Sequence, residues 1–210
     1  MGASLEIPKL PNSVVLDPPL TDEEFEELSA ANELVKLERD REGKIIVNPP
    51  AGADSGDANS EIIYQLRAWW KKHKQGRVYD SNTGFFLPDG SSLSPDAAYV
   101  TAEQMRGVTK EDRKHFLRLT PAFVIELLSA SDSPSQARKK MESWIDNGSE
   151  LGWLIDPYER EIEASQRLWT RRGLCARGWG CVERLRGLGL TVECTRLKLL
   201  DIVMTRVRTS

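Results

Sequence analysis

The 210-residue chain carries only three cysteines and two histidines. Cys175, Cys181 and Cys194 crowd toward the C-terminus, with five and twelve residues between them. That is not a C-x-x-C spacing, and neither His73 nor His115 lies near enough in sequence to complete a zinc site. An odd number of cysteines cannot close a full disulfide set, so free thiols in a reducing compartment are expected. Long apolar runs are also missing. Segments 123–125 and 153–155 are short, far below the roughly 18 continuous apolar residues of a membrane helix. MGASLEIPKLP has no basic flank leading into an apolar stretch, so it does not read as a signal peptide, and Glu6 stands where a myristoylation signal needs Ser or Thr. A soluble, cytoplasmic protein without membrane contact is expected. G-x-G-x-x-G, Walker A, H-E-x-x-H and G-x-S-x-G patterns do not occur, which weighs against nucleotide-binding, zinc-protease and serine-hydrolase classes.

What is present is an ordinary globular balance, 40% hydrophobic and 29% charged, at a length that suits one domain. The formal net charge of −3 conceals a split. Residues 1–163 hold 19 basic and 29 acidic side chains, a net of −10, and residues 164–210 hold 10 and 3, a net of +7. A basic arm of this kind suits nucleic-acid phosphates. The arginines at 171, 172, 177, 184 and 186 show no clean periodicity, however, so a segment compositionally foreign to the preceding domain is the preferred reading.

Four prolines mark residues 1–20 as an extended lead-in. Thr21 followed by DEEFEEL is a helix start, with a hydroxyl cap, acids in the first turn and Glu24 at the capping-box position. Segments 33–39 and 44–47, joined by Arg41-Glu42-Gly43, predict a β-hairpin. Residues 57–74 have helical spacing, with Ile62, Ile63, Leu66 and Trp70 on one face and Lys71, Lys72 and Lys74 at the C-terminal end. Short strands are predicted over 77–80 and 84–87, then a strand over 93–100 and short helical turns over 101–107 and 110–117. The apolar runs 122–128 and 151–155 read as buried strands. Between them SASDS caps a helix that reaches about Asn147, and residues 160–163 begin an edge strand. The order predicts an α/β fold: a mixed central sheet flanked by helices, preceded by an N-terminal helix and hairpin.

Two acids break apolar strands: Asp96 in LSPDAAYV and Glu126 in FVIELL. A buried carboxylate is costly unless paired, hydrogen-bonded or metal-bound. Meeting on neighbouring strands, the two would suit one hard divalent cation, Mg2+ or Mn2+. Each alone could equally be a core acid tied to an arginine or a backbone amide. Glu61, one turn into its helix, is a third candidate against the alternative of a first-turn acid favoured by the helix dipole. Lys140 is a fourth, on the helix after the Glu126 strand, with neighbouring Lys139 able to take its place. Ser129, Ser131, Asp132 and Ser133 read as capping groups rather than nucleophiles.

YDSNTGFFLPDGSSLSPDAAYV, PAFVIELLSASDS, KKMESWIDNG and LGWLIDP, in this order, resemble the Uma-two family of restriction endonucleases within the PD-(D/E)XK nuclease superfamily. The match runs from about residue 34 to 163. The resemblance implies a restriction-endonuclease-like core over residues 21–163 and a metal-dependent endonuclease acting on DNA. It gives Asp96 the role of the PD acid, Glu126 that of the (D/E)XK acid, and Glu61 that of a core-helix carboxylate joining the metal shell. The superfamily's lysine position, two residues after Glu126, is Leu128 here, and Lys140 falls where the family carries a helix lysine. Mg2+ or Mn2+ is the implied cofactor, and cutting both strands implies a homodimer. A catalytically silent nucleic-acid- or protein-binding module on the same fold is the alternative. Beyond residue 163 the text changes to ASQRLWTRRGLCARGWGC, the kind of shift that translation in another reading frame produces.

Overall fold

The computed structural model describes residues 13–159, 161–169 and 175–179. The expectations placed on the lead-in before residue 13, and most of those placed on the basic tail, lie outside them, including Cys181, Cys194 and most of the segment suspected of a shifted frame.

Helix α1 (Asp22–Ala31) starts with the expected capping box: Thr21 accepts from the Glu24 amide, and Glu24 accepts from the Thr21 amide at 2.8 Å. Its buried residue Phe25 packs with Leu37, Ile45 and Phe86. The predicted hairpin forms from β2 (Lys36–Arg39) and β3 (Ile45–Asn48), antiparallel, with Lys36 opposite Asn48. A short strand β1 (Ser13–Val14), within the predicted lead-in, extends it by pairing with β3. Buried Arg39 ties this unit together. Its guanidinium donates to the Leu20 carbonyl at 2.8 Å and the Gly90 carbonyl at 3.1 Å, pairs with Asp22 and lies over the Phe25 ring.

The strands form two sheets: the predicted hairpin belongs to one, and the predicted mixed central sheet is the other. The first has the order β1-β3-β2-β6-β5, with β5 (Phe85–Phe86) and β6 (Ser92–Leu93). The second is the central sheet, in the order β11-β10-β9-β8-β7-β4. It comprises β4 (Arg77–Asp80), β7 (Ala97–Val100), β8 (Phe123–Leu127), β9 (Leu151–Asp156), β10 (Glu161–Trp169) and β11 (Cys175–Trp179). The segment predicted as one strand over 93–100 therefore breaks. Pro95 has no N–H to give a ladder, and Ser94-Pro95-Asp96 carries the chain from β6 in one sheet to β7 in the other. The predicted edge strand is also an interior one: β10 pairs with β9 on one side and β11 on the other, and it runs unbroken through residue 163.

Two helices cover opposite faces of the central sheet. Side chains alternate across a strand. Phe123, Ile125 and Leu127 of β8 pack with Ala58, Ile62 and Leu66 of α2 (Ala53–His73). Val124 and Leu128 pack instead with Met141 and Trp144 of α3 (Pro134–Asp146). Helix α2 begins four residues before the predicted Asp57, on the Gly52 N-cap, and ends with Lys71, Lys72 and His73 in its last turn. Strands β8 and β9 are parallel, and α3 is the crossover that parallel pairing requires. The crossover sits close: a Cβ on Gly152 of β9 would lie 2.1 Å from the Met141 sulfur, so a side chain there would force Met141 to move. The start of α3 differs from the capping expectation. Ser133 occupies the N-cap without a side-chain cap bond, its hydroxyl paired with that of Ser135, while Asp132 accepts from the Ser129 amide in the preceding turn. Among the described residues, no helix is long and apolar enough to cross a membrane.

Candidate active site

The alternation that sends Ile125 and Leu127 toward α2 sends Glu126 toward α3. Antiparallel pairing sets Ala97 opposite Ile125 and Ala98 opposite Val124, so one further step brings Asp96 abreast of Glu126 at the end of β7. Asp96 Oδ2 accepts from the Leu127 amide at 2.7 Å, which holds the side chain against β8. The two acids singled out in the sequence thus meet on neighbouring strands.

Lys140 and Trp144 are four residues apart on α3 and share its inward face. Trp144 donates from Nε1 to Glu126 Oε1 at 2.8 Å, and Lys140 donates to Glu126 Oε2 at 3.0 Å. Lys140 also donates to the Ser94 carbonyl at 2.9 Å, on the corner that carries Asp96. Lys139 is exposed, so Lys140 is the helix lysine that faces the acids.

A third carboxylate completes the cluster, and it comes from the other sheet. Glu38 of β2 is buried, 2.8 Å from the Lys140 ammonium through Oε1. The same oxygen accepts from the Ser94 amide at 2.9 Å, and Oε2 accepts from Asn48 at 3.1 Å. Glu38 was not among the sequence candidates: in KLER it looks like an ordinary strand acid. Nothing in KLER signals its burial: Asn48 reaches it across the hairpin, and Ser94 and Lys140 come from much later in the chain.

Glu61 is placed elsewhere. It lies on α2, against the opposite face of the sheet, where its Oε1 accepts from Gln65 at 2.7 Å. Leu128 is buried among the α3-side core residues, an apolar side chain where the superfamily pattern has a lysine.

The electrostatics follow from two buried glutamates and a half-buried aspartate around one lysine. Burial pushes the Glu126 carboxyl up, and with the nearby charges of Asp96 and Glu38 it outweighs Lys140, so Glu126 titrates at about 7. Burial acts the same way on Glu38, but Lys140, Lys36 and the Ser94 amide overcome it and hold Glu38 below the usual carboxylate range. Burial alone would make Lys140 easier to deprotonate, yet Glu126, Glu38 and Asp96 keep it charged well above the ordinary lysine range. One ammonium is shared by two glutamates, 2.8 Å from Glu38 Oε1 and 3.0 Å from Glu126 Oε2.

The donor set is oxygen only: three carboxylates and the Ser94 carbonyl, without sulfur or imidazole. That chemistry fits a hard cation such as Mg2+ or Mn2+ and not zinc or copper. Among the described residues, no three His, Cys, Asp or Glu side chains are grouped so that they could hold a metal ion, and the Lys140 ammonium pairs with both Glu38 and Glu126.

The comparisons with known proteins agree with this frame. No curated protein matches the chain. A crystal structure titled as that of "a putative nuclease belonging to DUF820" from Anabaena variabilis superimposes with a TM-score of 0.58 at 17% identity, over 81% of this chain and 90% of that one. This likeness supports a restriction-endonuclease-like core. The Uma2 family model, described as "Putative restriction endonuclease", matches residues 22–193 and so continues past residue 163, where the resemblance read from the sequence ends. With most of its length matched, the chain belongs to the Uma2 family.

Proposed function

We propose that the protein is a metal-dependent endonuclease that hydrolyses phosphodiester bonds of DNA, with Asp96, Glu126, Glu38 and Lys140 as its active centre. The observation that supports this most directly is the junction itself. A lysine on α3 lies 2.8 Å and 3.0 Å from glutamates of two different sheets, beside an aspartate in register with one of them.

Asp96 and Glu126 are the residues to hold Mg2+ or Mn2+, with Glu38 as the third carboxylate in place of the Glu61 expected from the family pattern. When bound, such an ion supplies positive charge that polarises a phosphoryl oxygen and lowers the pKa of water. The chain's own residues do the rest. Lys140 is a fixed, permanently charged donor and suits the negative charge that grows on the phosphate. The Ser94–Asp96 corner sets the spacing, because both the carbonyl that Lys140 binds and the Asp96 carboxylate hang from it. Two such sites related by a two-fold axis would cut both strands of a duplex, so a homodimer belongs to the proposal.

Incubating supercoiled plasmid with the full chain and Mn2+ tests it. Wild type nicks the plasmid, while Asp96→Ala and Lys140→Met lower the rate by at least ~100-fold. Cleavage that survives in both variants would remove the site. Duplex binding without cleavage, unaffected by Asp96→Ala, would instead identify a binding module on this fold.

A further inference from the structure

Trp144 is a core tryptophan whose indole N–H is committed to a carboxylate. Its side chain is fully buried, its ring meets Phe85 edge-on with centroids 6.1 Å apart, and its Nε1 lies 2.8 Å from Glu126 Oε1. A carboxylate on a strand can turn about its side-chain torsions, and each rotamer aims a different oxygen at the neighbouring acid. Here one oxygen is pinned from the core side, and Oε2 is left to face Lys140.

We propose that Trp144 is a positioning residue: its indole N–H locks the Glu126 carboxylate so that Oε2 points at the shared space with Lys140 and Asp96. The idea rests on Glu126 belonging to the site proposed above. Support comes from how firmly the indole is itself held. Trp144 follows Met141 on the face of α3 that seats against Gly152, so the helix cannot slide away from β9 without opening the core. The N–H donor therefore sits on a rigid element, as a group that orients a ligand must.

Trp153 provides a matched control. It is almost as deeply buried, it meets Phe123 edge-on, and its Nε1 has no hydrogen-bond partner among the described residues. Trp144→Phe and Trp153→Phe remove the same atoms from two core indoles, but only the first removes a bond to the site.

The experiment uses the full chain in two arms. In the first, Mn2+ binding and plasmid nicking are measured for wild type and both variants. Trp144→Phe should weaken Mn2+ binding and lower kcat by ~10- to 100-fold, the range seen when a ligand-orienting group is lost, with KM for DNA unchanged. Trp153→Phe should leave both near wild type even if it unfolds at a similar temperature. Equal losses in the two variants, or none in Trp144→Phe, would overturn the proposal. In the second arm, the Trp144 indole N–H resonance is followed in wild type and in Glu126→Gln, without metal or substrate. It should shift markedly on that substitution, and an unmoved resonance would also overturn the proposal. A wild type that neither binds Mn2+ nor cuts DNA, but passes the second arm, would refute the nuclease reading and leave the Trp144–Glu126 coupling standing.

Discussion

Glu126 is the most informative single side chain. The unfolded chain gives up this proton near 4.5, whereas the folded protein holds it to about 7. The proton therefore favours the folded state. That contribution is full below pH 4.5 and disappears as pH rises through 7. Without metal, urea titrations at pH 5, 6, 7 and 8 should show wild type losing stability relative to Glu126→Gln. The loss between pH 5 and 8 should be about 2–3 kcal/mol, because each pH unit between the unfolded and folded titration points is worth about 1.36 kcal/mol. A difference between the two proteins that stays flat from pH 5 to 8 would show that Glu126 ionises normally. Asp96 and Glu126 were legible in the sequence because an acid inside an apolar strand is conspicuous. Glu38 was not. Its burial depends on Ser94, Asn48 and Lys140 closing around it, and residues 56 and 102 positions further on have no signature in KLER.

At the scale of elements, the site depends on how closely α3 approaches the sheet. Gly152 supplies the clearance for Met141, the residue next to Lys140. Gly152→Ala should displace the helix and cost about 1–3 kcal/mol, the usual penalty for overfilling a packed core. The urea midpoint reads this directly, and an unchanged midpoint would mean that α3 has room to spare. Most elements could be read from periodicity and caps, including the α1 capping box, the β2–β3 hairpin and the β8–α3–β9 crossover. The break between β6 and β7 was hidden because LSPDAAYV has continuous strand character on either side of Pro95. A proline there is compatible with an edge strand or with a corner, and only the tertiary pairing of Arg39 with Ser92 decides for the corner.

For the whole molecule, two sheets share one junction, and the candidate site occupies it. Sequence order shows how strands follow one another but not which of them pair, so it did not reveal that β5 and β6 join the hairpin rather than the central sheet. The split also separates the basic groups. Lys71 and Lys72 close α2 on one face of the central sheet. On the other face, Arg138 is engaged by Glu163 and Lys140 by the acids. The strongly acidic balance of residues 1–163 is thus partly turned inward, onto the cluster of Glu38 and Glu126 around Lys140. Calorimetric titration of Mn2+ into the full chain tests that cluster most directly. Wild type should bind one ion per chain, and Asp96→Ala and Glu38→Gln should each weaken binding by at least ~10-fold. A wild type that takes up no Mn2+, or variants that bind it unchanged, would contradict a metal site at Asp96, Glu126 and Glu38.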